Sequence, residues 1–186
     1  ATPNFFVYAQ PYSDTIKKEV QERGINLIVA SIPRISPDSV DPKIKNSNRL
    51  HGYLAGLEGY DAGVDAVIML DLAGHITEGR GENVFAAKDG RLYSPSEGIL
   101  QGVSREAVLE IATDLDIDVA LGEMTPYDLY NADEAFFCST AGGIMPIIEI
   151  DGRMIGEGRP GELTGRIKDI YWQRHVSQPW ATPVLV

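Results

Sequence analysis

"NVFAAKDGRLYS", residues 83–94, is the stretch whose reading sets the fold class. Its opening residues are β-branched, aromatic or small and apolar, Asp89-Gly90 is a pair favoured in tight two-residue turns, and "LYS" resumes an extended pattern. A β-hairpin is expected here. Beyond it, Ala107, Val108, Ile111, Ala112 and Leu115 recur at helical spacing from a start near Ser104, and Ile117, Val119 and Leu121 alternate as a strand. "TPYD", 125–128, puts Thr at an N-cap, Pro at the first helical position and an acid in the first turn. "AFFCST" and "IIEI" read as strands, Asp151-Gly152 as a second hairpin turn, and Leu163, Ile167, Ile170 and Tyr171 as the last helix.

Toward the N-terminus, "AVIML" at 66–70, "NLIVAS" at 26–31 and "NFFVYAQ" at 4–10 read as strands, and "PRISPDSVDPK" as a loop. Leu50, Tyr53, Leu54 and Leu57 predict a helix with one buried face, with Asn46, Ser47 and Asn48 as candidate caps and Gly63 as the stop. Interleaved strands and helices make this an α/β fold. No repeat, low-complexity run or linker interrupts the pattern, so one domain is expected over residues 1–175, followed by an irregular tail at 176–186.

The 186 residues, 44% of them hydrophobic, suffice for one buried core. Sixteen basic against 27 acidic residues give a net charge of -11, which disfavours nucleic acid and anionic membrane surfaces as partners. Cys138 stands alone, so no internal disulfide forms, and no segment resembles a secretion signal. A cytoplasmic setting is the expectation.

Chemistry concentrates in the turns. In "LQGVSREAV", Gly102, Val103 and Ser104 precede or open a helix, where free N–H groups, the helix dipole and a hydroxyl can converge on an anion such as phosphate. The plainer alternative makes Ser104 an N-cap and Gly102 a turn residue. "CSTAGGIMP" ends a strand with Ser139, Thr140, Ala141 and two glycines, exposing backbone to a second anion or simply making a tight turn. Lys43 and Lys45 share one side of "DPKIKN" if that segment is extended. A partly buried lysine there could form a Schiff base, although a solvated surface charge is the commoner role. Glu78, in "HITEGRGENVF" at 75–85, is a strand-end acid beside a glycine-punctuated turn.

Three other signals carry less. Gly156, Gly158 and Gly161 match the dinucleotide pattern but follow a hairpin and include Pro160, with no β-α-β unit beginning there. The three histidines are scattered, so no metal site is expected, and Cys138 in an apolar strand reads as a small buried hydrophobe.

"DPKIKN", "ITEGRGENVF", "GILQGVSREAV" and "CSTAGGIMPI" together resemble, in order and separation, the motifs of the class IV, fold type IV pyridoxal-phosphate aminotransferases, and the resemblance runs from residue 4 to about residue 172. It implies the large C-terminal domain of that fold, a pseudo-barrel of mixed strands flanked by helices. It implies pyridoxal 5'-phosphate as cofactor, with Lys45 forming the Schiff base and moving the proton, and Glu78 pairing with the pyridine nitrogen. Val103, Ser104 and Thr140 would hold the phosphate. Leu100 would pack on the ring, Gly81 would leave room for it, and Thr140 with Ala141 would offer N–H groups to a substrate carboxylate. The activity implied is amino-group transfer between an amine or amino acid and a keto acid, in a homodimer.

"CSTAGGIMPI" looks most like the (R)-selective amine transaminases and "EGRGENVF" like branched-chain aminotransferases, while D-amino acid aminotransferase and aminodeoxychorismate lyase share the scaffold. Two features depart from the family pattern. Its small N-terminal domain, which contributes an arginine to the phosphate, is not matched here, so a non-catalytic cofactor-binding fragment is an alternative. Where the family usually carries an aromatic residue four or five positions after the lysine, this chain has Arg49 and Leu50.

Overall fold

Asp89 and Gly90 take φ of 50° and 77°, both left-handed, and fold β4 (Asn83–Lys88) antiparallel onto β5 (Arg91–Pro95). The structure, a computed structural model, describes residues 4–7 and 18–182. Asp151 and Gly152 repeat the device, with φ of 51° and 73°, between β8 (Gly143–Ile150) and β9 (Arg153–Met154). The other strands are β1 (Ile25–Val29), β2 (Ala66–Leu70), β3 (Ile76–Gly79), β6 (Val119–Gly122) and β7 (Glu134–Ser139). They form one mixed sheet of order β3-β2-β1-β8-β7-β4-β5-β6, with β9 beside β8.

That order forces curvature. β3 and β4 stand five strand spacings apart in the sheet, roughly 24 Å if it were flat. Yet only residues 80–82 join them, and four Cα steps reach at most about 14 Å. The sheet therefore curls until the ends meet, and the Gly79 N–H donates to the Glu82 carbonyl at 2.8 Å. This is the expected pseudo-barrel of mixed strands, and the closing joint is the segment that carries Glu78.

Five helices accompany the sheet among the described residues: α1 (Lys18–Arg23), α2 (Leu50–Ala62), α3 (Val103–Asp114), α4 (Pro126–Tyr130) and α5 (Glu162–Arg174). Ile111 and Val108 of α3 and Ile167 and Tyr171 of α5 pack with Phe85, Phe136 and Ile144 on one face of the sheet. Leu27, Ile68, Val84, Phe137 and Ile147 belong to a separate core. Pro126 opens α4 as expected, with the Thr125 N–H donating to the Asp128 carboxylate at 2.7 Å.

The structure corrects several expectations. Residues 4–7 are irregular rather than a strand, and the rest of that predicted strand, 8–10, lies outside the described residues. Residues 41–48 are turns, with Asp41 accepting from the Lys43 N–H and Asn46 from the Asn48 N–H, so Lys43 and Lys45 are not neighbours on a strand. The N-cap of α2 is Arg49, without a side-chain capping bond; Gly63 is its left-handed stop as expected. The largest reversal is the face α2 buries. Gly52, Ala55 and Gly59 face inward while Leu50, Tyr53 and Leu57 are 66%, 63% and 59% exposed. Small residues let this helix lie close to the sheet: an ideal Cβ on Gly59 would stand 2.6 Å from Val67 Cγ1. Apolar periodicity identified the helix, but the face it marked is not the one the sheet covers.

The glycines of the dinucleotide-like pattern have structural work. Glu134 accepts from the N–H groups of Leu163 and Thr164 at 3.0 and 2.7 Å and from Thr164 Oγ1 at 2.7 Å, placing a carboxylate at the positive end of α5. An ideal Cβ on Gly161 would sit 1.9 Å from Glu134 Cδ, so the cap requires glycine there. Glu134→Ala is expected to lower stability by about 1–2 kcal/mol, read as a lower urea midpoint at unchanged m.

Candidate active site

β3 carries Glu78 into the interior at the point where the sheet closes, leaving its side chain 8% exposed. An isolated carboxylate there would be costly, and the surroundings answer both oxygens. Arg34 Nη2 lies 2.5 Å from Oε1. Oε2 accepts from the Leu100 N–H at 2.9 Å and from Asn83 Nδ2 at 3.1 Å. Asn83 Nδ2 also reaches the Leu100 carbonyl at 2.8 Å, tying the 96–102 loop to the head of β4. Burial pushes the Glu78 carboxyl above its ordinary value, while Arg34 and the Leu100 N–H pull it back toward the ionised form.

Arg34 is itself held from three sides. Its backbone N–H donates to Leu70 O at 2.8 Å, Nε donates to Gly98 O at 3.1 Å, and Nη1 lies 3.3 Å from His51 Nε2. Arginine has no acceptor, so His51 Nε2 accepts and a neutral ring carries its proton on Nδ1. Burial first, then the charges of Arg34 and Arg49, hold the His51 imidazole below its usual value and favour the neutral ring. Its Nδ1 is buried and has no hydrogen-bond partner.

Lys45, far from Glu78 in sequence, lines the same cavity, with Arg34, Arg49, His51 and Leu100 completing much of its wall. The amine and the acid singled out in the sequence are thus brought together. Gly81 lines an adjoining groove that shares Arg49 with the cavity. The remaining candidates lie to the Asn83 side. Asn83 pairs with Cys138 across β4 and β7, and Thr140 and Ala141 follow in the exposed turn after β7. Gly102 precedes α3, and an ideal Cβ there would stand 2.3 Å from Asn83 Oδ1, so that loop packs tightly against the same side chain. Val103 is exposed, whereas Ser104 is buried with Oγ 2.8 Å from the Tyr171 hydroxyl. Val103, Ser104, Thr140 and Ala141 do not line the Lys45 cavity itself. Cys138 is buried, and desolvation pushes its thiol up to about 12, as suits an inert core residue.

Sequence reading missed Arg34, Asn83 and His51. Arg34 lies in a segment without periodicity, His51 was one of three scattered histidines, and Asn83 begins a strand. Their importance comes from what they touch across the fold.

A fold closed at a buried, arginine-paired glutamate, with a lysine in the same cavity, defines a class that comparison with known proteins identifies. The family model for amino-transferase class IV matches residues 1–150. The chain belongs to that family. It is 36% identical over 169 residues to the branched-chain-amino-acid aminotransferase of Escherichia coli K12, covering 89% of this chain and 55% of that protein. The branched-chain aminotransferase of Thermoproteus uzoniensis, solved with norvaline, superposes with a TM-score of 0.84 at 37% identity, covering 91% of this chain and 59% of that one. The branched-chain amino acid aminotransferase of Escherichia coli likewise gives a TM-score of 0.84 at 35% identity, covering 88% and 56%. A further branched-chain amino acid aminotransferase, from T.th., was solved with pyridoxamine 5'-phosphate and gives 0.82 at 34% identity, covering 86% and 53%. The chain spans about half the length of the curated relatives it matches.

Proposed function

We propose that this protein is a pyridoxal-phosphate-dependent aminotransferase of the branched-chain type, moving an amino group between an amino acid and a keto acid. The observation that carries the reading is the single cavity shared by Lys45 and the arginine-paired Glu78. Membership of the class IV family and the likeness to branched-chain enzymes support it.

The residues present fit the cofactor. A primary amine, a buried carboxylate and a buried ring N–H without an acceptor line one cavity. When bound, pyridoxal phosphate supplies an aldehyde to capture the amine and a pyridinium ring to draw electrons from the reacting carbon. Lys45 would be the amine that holds the aldehyde and the base that carries a proton at Nζ. Glu78 would face the ring nitrogen, and Arg34 pulls its buried carboxyl back toward the charged form that such a pairing needs. Leu100 supplies an apolar contact to the ring face, and Gly81 leaves space beside it. Val103, Ser104 and Thr140 hold the phosphate through the start of α3 and the turn after β7. Thr140 and Ala141 offer backbone N–H groups to the substrate carboxylate.

A homodimer in the cytoplasm completes the reading. The exposed Leu50, Tyr53 and Leu57 of α2 support self-association, because an apolar surface of this kind gains by being covered. No helix among the described residues is long and apolar enough to cross a membrane.

Titrating the purified protein with pyridoxal phosphate tests the proposal: a visible absorption band should appear and saturate. Adding L-leucine, a D-amino acid or an (R)-amine in turn should bleach it, with L-leucine fastest. Bleaching by the (R)-amine or D-amino acid alone would replace the branched-chain reading, and a band that no donor bleaches would indicate a binding fragment without turnover.

A further inference from the structure

Ser104 is not the helix cap that a serine beside a helix start suggests. The N-cap of α3 is Gly102, two residues earlier, and no side chain makes a capping bond there. Ser104 Oγ instead lies 2.8 Å from the hydroxyl of Tyr171 on α5, 67 positions later, with both residues buried. Tyr171 packs in the core with Phe85, Phe136 and Ile144, a task phenylalanine would perform without taking a hydroxyl out of water. Its ring is fixed by its neighbours: Trp172 stands edge-on at 5.5 Å and 84°, and His175 at 4.6 Å between ring centres. His175 Nδ1 also lies 2.8 Å from the Tyr171 carbonyl oxygen. The phenolic oxygen is thus held where it meets Ser104.

The next residue on α5 meets the other turn proposed for the cofactor phosphate. Trp172 packs so closely over Gly143 that an ideal Cβ there would stand 2.4 Å from Trp172 Cζ2, and Gly143 takes a left-handed φ of 60°. Gly143 opens β8 just after the turn that carries Thr140 and Ala141. That turn is tied by the Gly142 N–H donating to Ser139 Oγ at 2.9 Å and by Gln21 Nε2 donating to the Gly142 carbonyl at 3.0 Å. Two consecutive residues of α5 therefore brace the start of α3 and the turn after β7.

We propose that Tyr171 is a positioning residue for the phosphate site: its hydroxyl donates to Ser104 Oγ and so keeps the serine's one proton available to a phosphate oxygen. The inference rests on the aminotransferase reading, which gives Ser104 that role. The direction of the bond follows from hydroxyl chemistry. Each hydroxyl has one proton to donate. A phenol is the more acidic O–H and, with electron density drawn into its ring, the weaker acceptor, so donation from Tyr171 to Ser104 is favoured. A serine that donated to Tyr171 would present only lone pairs to an anion. As an acceptor from Tyr171 it remains a donor, and a hydrogen bond to a charged oxygen is the stronger kind.

Tyr171→Phe keeps the ring, and with it the packing of α5, but removes the donor. Absorbance titration should show its pyridoxal phosphate dissociation constant raised about fivefold, the scale of one hydrogen bond, while that of pyridoxal, which lacks the phosphate, stays unchanged. Ser104→Ala should weaken pyridoxal phosphate binding by as much or more. Adding Tyr171→Phe to Ser104→Ala should lose no further affinity, because the two side chains act through one hydroxyl. A tyrosine that serves packing alone gives a different pattern: both ligands weaken alike, or the losses in the two single variants add. Either result overturns the positioning role, as does an unchanged pyridoxal phosphate affinity in Tyr171→Phe. A wild type that forms no visible band with pyridoxal phosphate removes the aminotransferase reading and this inference with it. A wild-type band whose affinity ignores Tyr171 removes the inference alone.

Discussion

Under the proposed function, Lys45→Ala is expected to abolish amino exchange, lowering the rate by about 10³-fold or more, because one side chain would serve as both cofactor anchor and proton carrier. The visible band formed with pyridoxal phosphate should be lost or shifted toward that of the free aldehyde. Stability should barely change, by less than about 0.5 kcal/mol, since Lys45 is exposed on a turn and makes no ion pair among the described residues. Absorbance titration, single-turnover kinetics and urea unfolding on the same preparation separate these effects. An unaltered band in the variant would move the anchoring amine elsewhere and remove the foundation of the proposed function.

The second large effect belongs to Arg34. Replacing it with methionine keeps bulk but leaves Glu78 buried without its counter-charge, and breaking one side of a buried pair costs about 3–5 kcal/mol. The pH dependence has a definite sign. Burial holds the folded Glu78 carboxyl above its unfolded value of 4.5, so this group favours the folded state most below that pH and loses the advantage as pH rises through the folded value. Removing Arg34 takes away the attraction that limits this rise. The window of loss therefore extends upward, and Arg34→Met should be hurt more at pH 7 than at pH 5. Adding Glu78→Gln should restore much of the stability, because a neutral amide needs no counter-charge. Equal losses at both pH values, with no recovery in the double variant, would show that Arg34 acts through packing alone.

Much of the architecture was legible because it is set locally. Asp89-Gly90 and Asp151-Gly152 turn as their backbone preferences require, Pro126 starts a helix, and Gly63 stops one. Lys45 and Glu78 could be picked out because their motifs stand in a recognisable order. Failures arose where a distant part of the chain decides the outcome. The helical spacing of Leu50, Tyr53, Leu54 and Leu57 was read correctly as a helix, but the inward face is the glycine and alanine one, chosen by how closely α2 approaches Val67. Arg34, Asn83 and His51 have no local signature at all. They matter only because curling the sheet brings them to Glu78 and Lys45.

By itself, then, the sequence determined the turns and most helices and strands, since these follow from backbone torsions and short-range periodicity, and its ordered motifs singled out Lys45 and Glu78 as candidates. Only the tertiary structure decided that β3 returns to β4, that Glu78 is paired with an arginine 44 positions earlier, and that His51 is brought against that arginine. Charge pairing and desolvation depend on distance through space, and a curled sheet joins residues whose separation along the chain carries no trace of that distance.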